Sequence, residues 1–305
     1  MMNLTKSAVF TLVGLSDHPP TMNGLFVLFL IIYMMTVIIN LLVFVLIIID
    51  YHLHNPMYFF LSGLAFLDMS YSSVTAPRML FDLVNKSGSI NIPECTAQIF
   101  FFLYFATSEL LLLSAMSYDR YVAICHPLYY QQIMSWKVCH LLAILIWVFA
   151  FVYSLFHTLF LLRLNFCGSS SIHNFFCDLP HLIQASCTDP TINIVLVFTV
   201  GSSVSLSAFL LTFLPYVRIF NTILRIPSNA GKLKAFSTCT SHLMVVFIFY
   251  ISLIFIYLVP TSSSMFGMNK FFSVMYSLIN PLLNPLIYSL RNADLKAAFK
   301  RTLYR

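Results

Sequence analysis

Seven long apolar stretches constrain the fold of this chain more than any other feature. They cover roughly residues 24–49, 57–82, 96–125, 138–163, 191–224, 233–259 and 269–290. Each exceeds the ~20 residues that a helix needs to cross a hydrocarbon core of about 30 Å. With 60% hydrophobic and only 9% charged residues, a soluble protein of this size could not hide its apolar surface. The sequence therefore predicts an all-α membrane protein, a seven-transmembrane helix bundle.

The chain is predicted to be one domain, residues 1–305, since no internal repeat or low-complexity linker is visible. Residues 1–23 contain no sustained apolar segment, so we expect an extracellular N-terminus without a cleaved signal peptide. The first span would then act as a signal anchor. Residues 291–305 form the predicted cytoplasmic tail. In it Leu295, Phe299 and Leu303 recur every four residues, and basic residues lie beside them. This spacing predicts a short amphipathic cytoplasmic helix at an anionic membrane leaflet.

The basic residues predict the orientation. With the N-terminus outside, eleven of the sixteen Lys and Arg residues fall on the inner side, namely Arg120, Lys137, Arg218, Arg225, Lys232, Lys234, Arg291, Lys296, Lys300, Arg301 and Arg305. Cytoplasmic segments carry such an excess, so we expect a plasma-membrane protein with its C-terminus inside. This bias also explains the net charge of +6 without nucleic acid as a partner.

Several residues on the predicted outer side suit an oxidising compartment. Cys95, Cys167, Cys177 and Cys187 lie between spans or at span ends, so disulfides are allowed there. Four cysteines permit three pairings, and the spacing does not choose among them. Asn3 begins a glycosylation sequon, and we expect it to be glycosylated.

Charged residues at the inner end of the third span suggest a switch. Asp119, Arg120 and Tyr121 lie within Met116–Cys125, just where the apolar stretch ends. Adjacent charges at the end of a span are costly unless they face partners at the water boundary. We predict that Asp119 and Arg120 form an ion pair, which releases Arg120 when a partner protein arrives.

Two carboxylates lie deep in the predicted bundle. Asp68 is in the second span and Glu109 is in the third. Both must face the interior and find partners. Two nearby carboxylates favour a shared proton or a bound cation, so a Na⁺ ion at Asp68 and Glu109 is one hypothesis and a protonated structural pair is the other.

The last spans carry further polar residues near their inner ends. Pro285 removes one helical hydrogen bond, and the neighbouring Asn284 can satisfy the freed backbone groups. The predicted coupling and switch residues are Asp119, Arg120, Tyr121, Tyr216, His242, Asn284, Pro285 and Tyr288.

Four blocks in order, Leu53–Leu61, Met116–Cys125, Lys234–Leu243 and Pro281–Asn292, resemble the olfactory receptors, a branch of the rhodopsin-like (class A) G-protein-coupled receptors. The resemblance covers nearly the whole chain. It implies disulfides Cys95–Cys177 and Cys167–Cys187. It also implies a small volatile odorant in the outer half of the bundle and a stimulatory olfactory G protein that raises cAMP. No cofactor and no enzymatic activity are expected.

The expected ligand site is mostly apolar, as small-molecule pockets are. We predict that it is lined by Phe102, Ala106, Thr107, Val200, Leu253, Ile254, Tyr257 and Val274. Thr107 and Tyr257 would offer hydrogen bonds. The third span lacks Asp and Glu between Thr96 and Ser108, which argues against an amine ligand.

The chain departs from the pattern of the olfactory receptors at four positions. Ile39 and Ile251 stand where glycines are usual, Pro215 replaces a serine and Ser117 replaces an alanine. The first three are expected to affect helix packing and basal activity rather than the fold.

Other classes of function would require different features in the sequence. A non-olfactory chemosensor for a lipid or small acid would use Arg78, Arg163 or Lys270. A transporter or channel would need repeats or a charged path, and a membrane enzyme would need a catalytic motif; neither is visible. The His and Cys residues between the fourth and fifth spans match no zinc spacing.

Overall fold

The computed structural model describes residues 9–16, 18–166, 171–257 and 266–303. Seven long helical segments form the bundle, close to the predicted boundaries. They are α1 (Pro19–Ile49), α2 (Pro56–Asn85), α3 (Ile92–Cys125), α5 (Trp136–Leu161), α7 (Thr191–Arg225), α8 (Asn229–Tyr257), and the continuous run of α9 (Phe266–Val274), a π-helical turn (Met275–Ile279) and α10 (Asn280–Arg291). The predicted fold class is confirmed.

Four of these helices, α1, α3, α5 and α7, are long and apolar enough to cross a membrane by length and composition. The helix α2 is less apolar, because it carries Asp68, Arg78 and Asp82 within its length. Many apolar side chains of α1, α5 and α7 are exposed on the outside of the bundle, as lipid-facing surfaces require.

Local signals fix where the long helices begin. Pro56 starts α2, where its missing N–H is not needed, and the Asn55 side chain accepts a hydrogen bond from the Tyr58 amide at 3.2 Å. Asn91 caps α3 in the same way through the Glu94 amide at 2.9 Å. These caps separate the apolar runs into distinct helices.

The helix α3 lies at the centre of the bundle. It packs against α2, α5, α7 and α8, and its buried residues extend from Cys95 at one end to Val122 at the other. Polar side chains along it, including Glu109 and Asp119, are therefore held inside the protein.

A small three-stranded sheet closes one end of the bundle, a feature that the helical prediction did not include. The first strand, β1 (Val9–Leu12), pairs antiparallel with β2 (Ser89–Asn91) and parallel with β3 (Ser171–Ile172). Phe10 is fully buried and contacts the Phe166 ring edge-on at 5.1 Å. The Lys270 ammonium donates to the Gly14 carbonyl at 2.6 Å, which ties the N-terminal segment to α9.

At the opposite end, two short helices follow long ones: α4 (Tyr130–Ile133), and α11 (Ala293–Leu303) after α10. The predicted C-terminal helix is thus present. The Arg301 guanidinium donates to Asp50 at 2.6 Å, which connects α11 to the turn after α1. Burial acts to raise the pKa of Asp50, but hydrogen bonds from Arg301 and His52 outweigh it and lower the pKa to about 2.

Candidate functional site

The inner end of α3 differs from the predicted ion pair. Asp119 accepts a hydrogen bond from the Tyr130 hydroxyl at 2.7 Å, and no described carboxylate forms an ion pair with Arg120. Consecutive residues on a helix point about 100° apart, so Asp119 and Arg120 do not face each other. The predicted pair is wrong. Asp119 instead anchors the short helix α4, and Arg120 remains buried without that partner.

Around Arg120 the structure brings together three other predicted switch residues. The Tyr216 hydroxyl lies 2.6 Å from Nδ1 of His242, and their rings stack with centroids 5.8 Å apart. His242 also lies 6.5 Å from the Tyr288 ring. The charge of Arg120 is within electrostatic range of all three side chains. Residues from α3, α7, α8 and α10 therefore meet at one point.

Apolar contacts hold the same helix ends together. Tyr216, Ile219 and Ile223 of α7 form a buried cluster with Cys239 of α8, and Tyr121 of α3 packs against it. The Tyr121 hydroxyl also contacts Nε2 of His126 at 3.1 Å. The three helices are thus closed against one another, and a protein could enter between them only if they separated.

A buried polar cluster lies above this closed end. The Asn284 amide donates to Asp68 at 2.9 Å and to Glu109 at 3.3 Å. The second carboxylate oxygen of Asp68 is buried without a hydrogen-bond partner. Two carboxylates with one free oxygen suit a monovalent cation or a shared proton. In the described part of the chain, no three His, Cys, Asp or Glu side chains group as a multivalent metal site would need.

The seventh span is held at its two prolines. The Asn40 amide of α1 donates to the Pro281 carbonyl at 2.9 Å, and the Ser289 hydroxyl donates to the Pro285 carbonyl. Asn284 thus uses its side chain for the carboxylate cluster, not for the backbone near Pro285 as predicted.

Aromatic rings pack together in the outer half of the bundle. Phe102 of α3 lies 4.9 Å from the Tyr71 ring and 6.0 Å from the Tyr276 ring, which in turn lies 5.4 Å from Phe249. Only Phe102 among them was predicted for the ligand site. The missed rings come from α2, α8 and the π-helical turn, where buried aromatic residues are indistinguishable from plain core residues in the sequence.

The long loop after α5 covers this aromatic cluster. A disulfide joins Cys95 of α3 to Cys177, and Gln98 accepts a hydrogen bond from the Cys177 amide at 2.9 Å. These bonds hold the neighbouring Phe176 over the bundle, where its ring lies 5.0 Å from Phe102. The first implied disulfide is therefore present, and it places an aromatic side chain above the candidate ligand site.

A polar network anchors the same loop. The His181 ring and the Asp178 carboxylate are 2.6 Å apart at the short helix α6 (Leu179–Gln184), and Asn174 donates to Asp178 at 3.3 Å and to Ser273 of α9 at 3.2 Å. Burial acts to lower the pKa of His181, but the charge and hydrogen bond of Asp178 outweigh it and raise the pKa.

The other predicted ligand residues occupy different positions. Thr107 is buried, and Ala106, Leu253 and Val274 are partly buried against the main core. Val200 is half-buried. Ile254 is 48% exposed, unlike the buried Thr107. The side chain of Tyr257, together with Asn3 and Cys167, lies outside the described residues.

Two basic residues considered for an acidic ligand are already engaged. Arg78 donates to Asp82 at 3.1 Å and lies 3.8 Å from Glu94. Lys270 binds the N-terminal segment as described above. Arg163 is exposed. Nothing in this arrangement favours recognition of a small acid.

The comparisons with known proteins agree with one another. A family model described as olfactory receptor matches residues 29–305. Olfactory receptor 1J1 of Mus musculus is 45% identical over 303 residues, which are 99% of this chain and 97% of the mouse protein. Olfactory receptor 5AP2 of Mus musculus is 46% identical over 302 residues, covering 99% and 95%. The crystal structure of squid rhodopsin superposes with a TM-score of 0.72 at 17% identity, over 93% of this chain and 81% of that one. This likeness shows the seven-helix fold alone.

Proposed function

Because the chain belongs to the olfactory receptor family, whose members are G-protein-coupled receptors and not enzymes, we propose that it binds a small, mostly apolar volatile ligand and activates a stimulatory olfactory G protein, which raises cAMP. The observation that carries this proposal is that α3 contributes a residue to each of the three clusters described above. One helix supplies Phe102 to the aromatic cluster, Glu109 to the polar cluster and Arg120 to the closed inner end. Phe102 and Arg120 are 18 positions apart, or about 27 Å at 1.5 Å per residue.

The ligand would bind among Phe102, Thr107, Leu253 and the rings of Tyr71 and Tyr276. An apolar wall with a few hydroxyls is typical of small-molecule sites. The ligand can shift the receptor only by binding the active arrangement more tightly than the closed one. We expect it to move rings that contact each other in the closed arrangement.

At the inner end, activation would break the Tyr216–His242 contact and open the apolar cluster between α3, α7 and α8. Arg120 and Tyr121 would then face the arriving G protein. Two separate sites and two arrangements of the helices meet the requirements of an allosteric protein.

The cluster of Asp68, Glu109 and Asn284 would hold a Na⁺ ion or a shared proton in the closed arrangement. Its free Asp68 oxygen supports this part of the proposal. The ion would neutralise charge that burial otherwise penalises.

Other features of the proposed receptor rest on the sequence. The excess of Lys and Arg supports an extracellular N-terminus and a cytoplasmic C-terminus at the plasma membrane. Glycosylation of Asn3, the Cys167–Cys187 disulfide and contact of α11 with membrane lipid remain predictions.

Replacing Arg120 by Ala tests the coupling mechanism. We expect Arg120→Ala to abolish agonist-driven cAMP in cells while surface expression persists, because the proposed contact with the G protein is lost. Arg225→Ala at the end of α7 is the matched control, since Arg225 lies outside the Tyr216–His242 group. Full signalling by Arg120→Ala would contradict the proposed role of this residue.

A cAMP screen with a chemically diverse odorant panel tests the ligand site. For an active odorant, Phe102→Ala should raise the half-maximal concentration at least tenfold, since a loss of about 1.4 kcal/mol of contact energy lowers affinity tenfold. Ile254→Ala is the control, because that side chain is exposed whereas Phe102 is buried. Equal effects of the two variants would place the ligand elsewhere.

A further inference from the structure

An apolar groove runs along the outside of the bundle, and it reaches the sites described above only at its inner end, at Tyr121. Its volume is about 860 Å³, and it is bounded by α3, α5 and α7. The sides are formed by Leu145 and Phe149 of α5 and by Leu211 and Leu214 of α7. Leu211 and Leu214 are each 60% exposed, and Leu145 is 55% exposed. The groove is therefore open toward the membrane.

The packing of the helices explains the groove. Both α5 and α7 pack closely on α3 but make few contacts with each other. Between them, α3 presents the small residues Ser114 and Ala115. The Ser114 hydroxyl contacts the Thr212 hydroxyl at 2.9 Å, which holds α3 against α7 behind the groove. Small residues permit this close approach and leave space in front of them.

The length of the groove matches one leaflet of a bilayer. Along α3 it extends from Leu111 to Tyr121, ten positions or about 15 Å at 1.5 Å per residue. This is half of a hydrocarbon core of about 30 Å. The Tyr121 end lies beside Arg120 at the inner end of the bundle, and the Leu111 end lies near the middle.

The Ser114 hydroxyl at the middle of the groove is bonded to Thr212, and the other polar groups of the groove lie at its inner end. Tyr118, Tyr121 and Arg218 line it there. Arg218 is exposed, and it forms no ion pair with any residue that the structure describes. An apolar channel of one leaflet's depth, ending at an unpaired guanidinium, matches an acyl chain joined to an anionic headgroup.

We propose that this groove binds one anionic phospholipid from the leaflet on the Arg120 side. The acyl chain lies between α5 and α7 over Ser114 and Ala115, and the headgroup binds Arg218. Basic residues near a membrane surface attract anionic lipids by about 1 kcal/mol each, and Arg can also bind a phosphate through two hydrogen bonds. A two-fold dimer through the same face would hold two unpaired Arg218 guanidinium groups at the same depth of one apolar interface, so a lipid is the better occupant.

Photocrosslinking in nanodiscs tests the proposal. The purified receptor is placed in phosphatidylcholine nanodiscs that contain a trace of photoreactive phosphatidylserine or photoreactive phosphatidylcholine, each with the reactive group at the chain end. Mass spectrometry then maps the labelled peptides. We expect phosphatidylserine to label the segment around Leu111 and Leu210 more strongly than phosphatidylcholine does.

Different variants test the contact with the lipid headgroup and the contact with the acyl chain. Arg218→Gln should reduce labelling of the groove by phosphatidylserine about fivefold, the ratio that about 1 kcal/mol gives. Arg218→Lys should retain most of the labelling, and Arg225→Gln, outside the groove, should leave it unchanged. Ala115→Phe and Leu214→Trp should reduce labelling by filling the groove. Leu214 is exposed, so that variant decides the outcome if Ala115→Phe does not fold.

Three results would overturn the proposal. Equal labelling by both lipids, unchanged in Arg218→Gln, would mean that any surrounding lipid fills the groove. Labels located outside the groove would place the anionic lipid elsewhere. Disulfide crosslinks between two receptors that carry Leu214→Cys would identify the face as a protein interface.

Discussion

At the scale of single residues, the contacts between α3 and α7 decide how firmly the inner end is closed. Ser117 of α3 donates a hydrogen bond to the Thr212 carbonyl at 2.7 Å. This carbonyl lies one turn before Tyr216, and Pro215 between them lacks an N–H to donate. Ser117 and Pro215 thus act at one place on α7.

We expect Ser117→Ala to raise basal cAMP. The variant loses one buried hydrogen bond of about 1 kcal/mol that holds the closed arrangement, which corresponds to about a fivefold shift in the equilibrium. The measurement is basal cAMP normalised to surface receptor. Ser108→Ala is the control, because among the described residues the Ser108 hydroxyl bonds only to the Tyr104 carbonyl of its own helix. Unchanged basal cAMP in Ser117→Ala would mean that this bond does not hold the closed arrangement.

The His181–Asp178 contact predicts that the loop over the aromatic cluster depends on pH. Because the pKa of His181 is raised in the folded protein, its stabilising effect is complete below the ordinary value of about 6.5 and disappears as pH rises through the folded pKa. Hydrogen exchange of residues 171–184 should therefore be faster at about pH 8.5 than at about pH 6 after correction for the intrinsic rate. His181→Gln should remove this difference, and a difference that persisted would assign it to another group.

The sequence predicted which residues meet at the inner end better than it predicted their contacts. Tyr216, His242 and Tyr288 do come together, since they occupy inner ends of neighbouring spans. Asp119 and Arg120 are neighbours in sequence, but their side chains point in different directions from the helix. The Asp119 carboxylate accepts a hydrogen bond from Tyr130, which lies on a short helix with no apolar pattern. Proximity along the chain was a poor guide to side-chain partners here.

At the scale of elements, the long helices were predictable and the strands were not. An apolar run such as that of α5 determines its own helix, because a span satisfies its backbone hydrogen bonds internally. The strands β1, β2 and β3 have two to four residues each and pair with distant segments. No periodicity can be read from such short segments, so tertiary contacts alone determine them.

Gly88 is a position at which the sheet is sensitive to a single methyl group. A Cβ there would collide with the Leu12 carbonyl oxygen and lie 3.1 Å from the Leu12 nitrogen. We expect Gly88→Ala to displace β1 and destabilise the receptor by about 1–3 kcal/mol, as overpacking does.

The measurement for this variant is the temperature at which purified receptor loses its monodisperse state. Gly14→Ala, in the N-terminal segment just after β1, is the control, because its Cβ would meet no atom within 4 Å. A Gly88→Ala receptor as stable as the control would show that β1 can move without cost.

At the scale of the whole molecule, the two ends of the bundle are built differently. The sheet, the disulfide and the loop over Phe102 cover one end, while the opposite end is closed by helix packing and by the Asp50–Arg301 ion pair. Disulfides persist only in oxidising compartments, so the covered end should be extracellular. This agrees with the charge bias of the sequence.

Epitope tags at the two termini test this orientation. In intact cells, we expect an antibody to bind the N-terminal tag without permeabilisation and the C-terminal tag only after permeabilisation. A tag between Ser186 and Thr191, before α7, should behave like the N-terminal one. Both termini on one side would rule out seven crossings.

The sheet also has a consequence for biosynthesis. Leu12 pairs with Ile172, which leaves the ribosome 160 residues later. At about 5–20 residues per second, the first strand waits roughly 8–32 s for its last neighbour. During that interval the burial site of Phe10 is incomplete, because Phe166 and β3 are not yet made, and we expect chaperones to bind the exposed ring. Nascent chains that stall before Ser171 should therefore remain chaperone-bound, whereas chains that stall after it can complete the sheet.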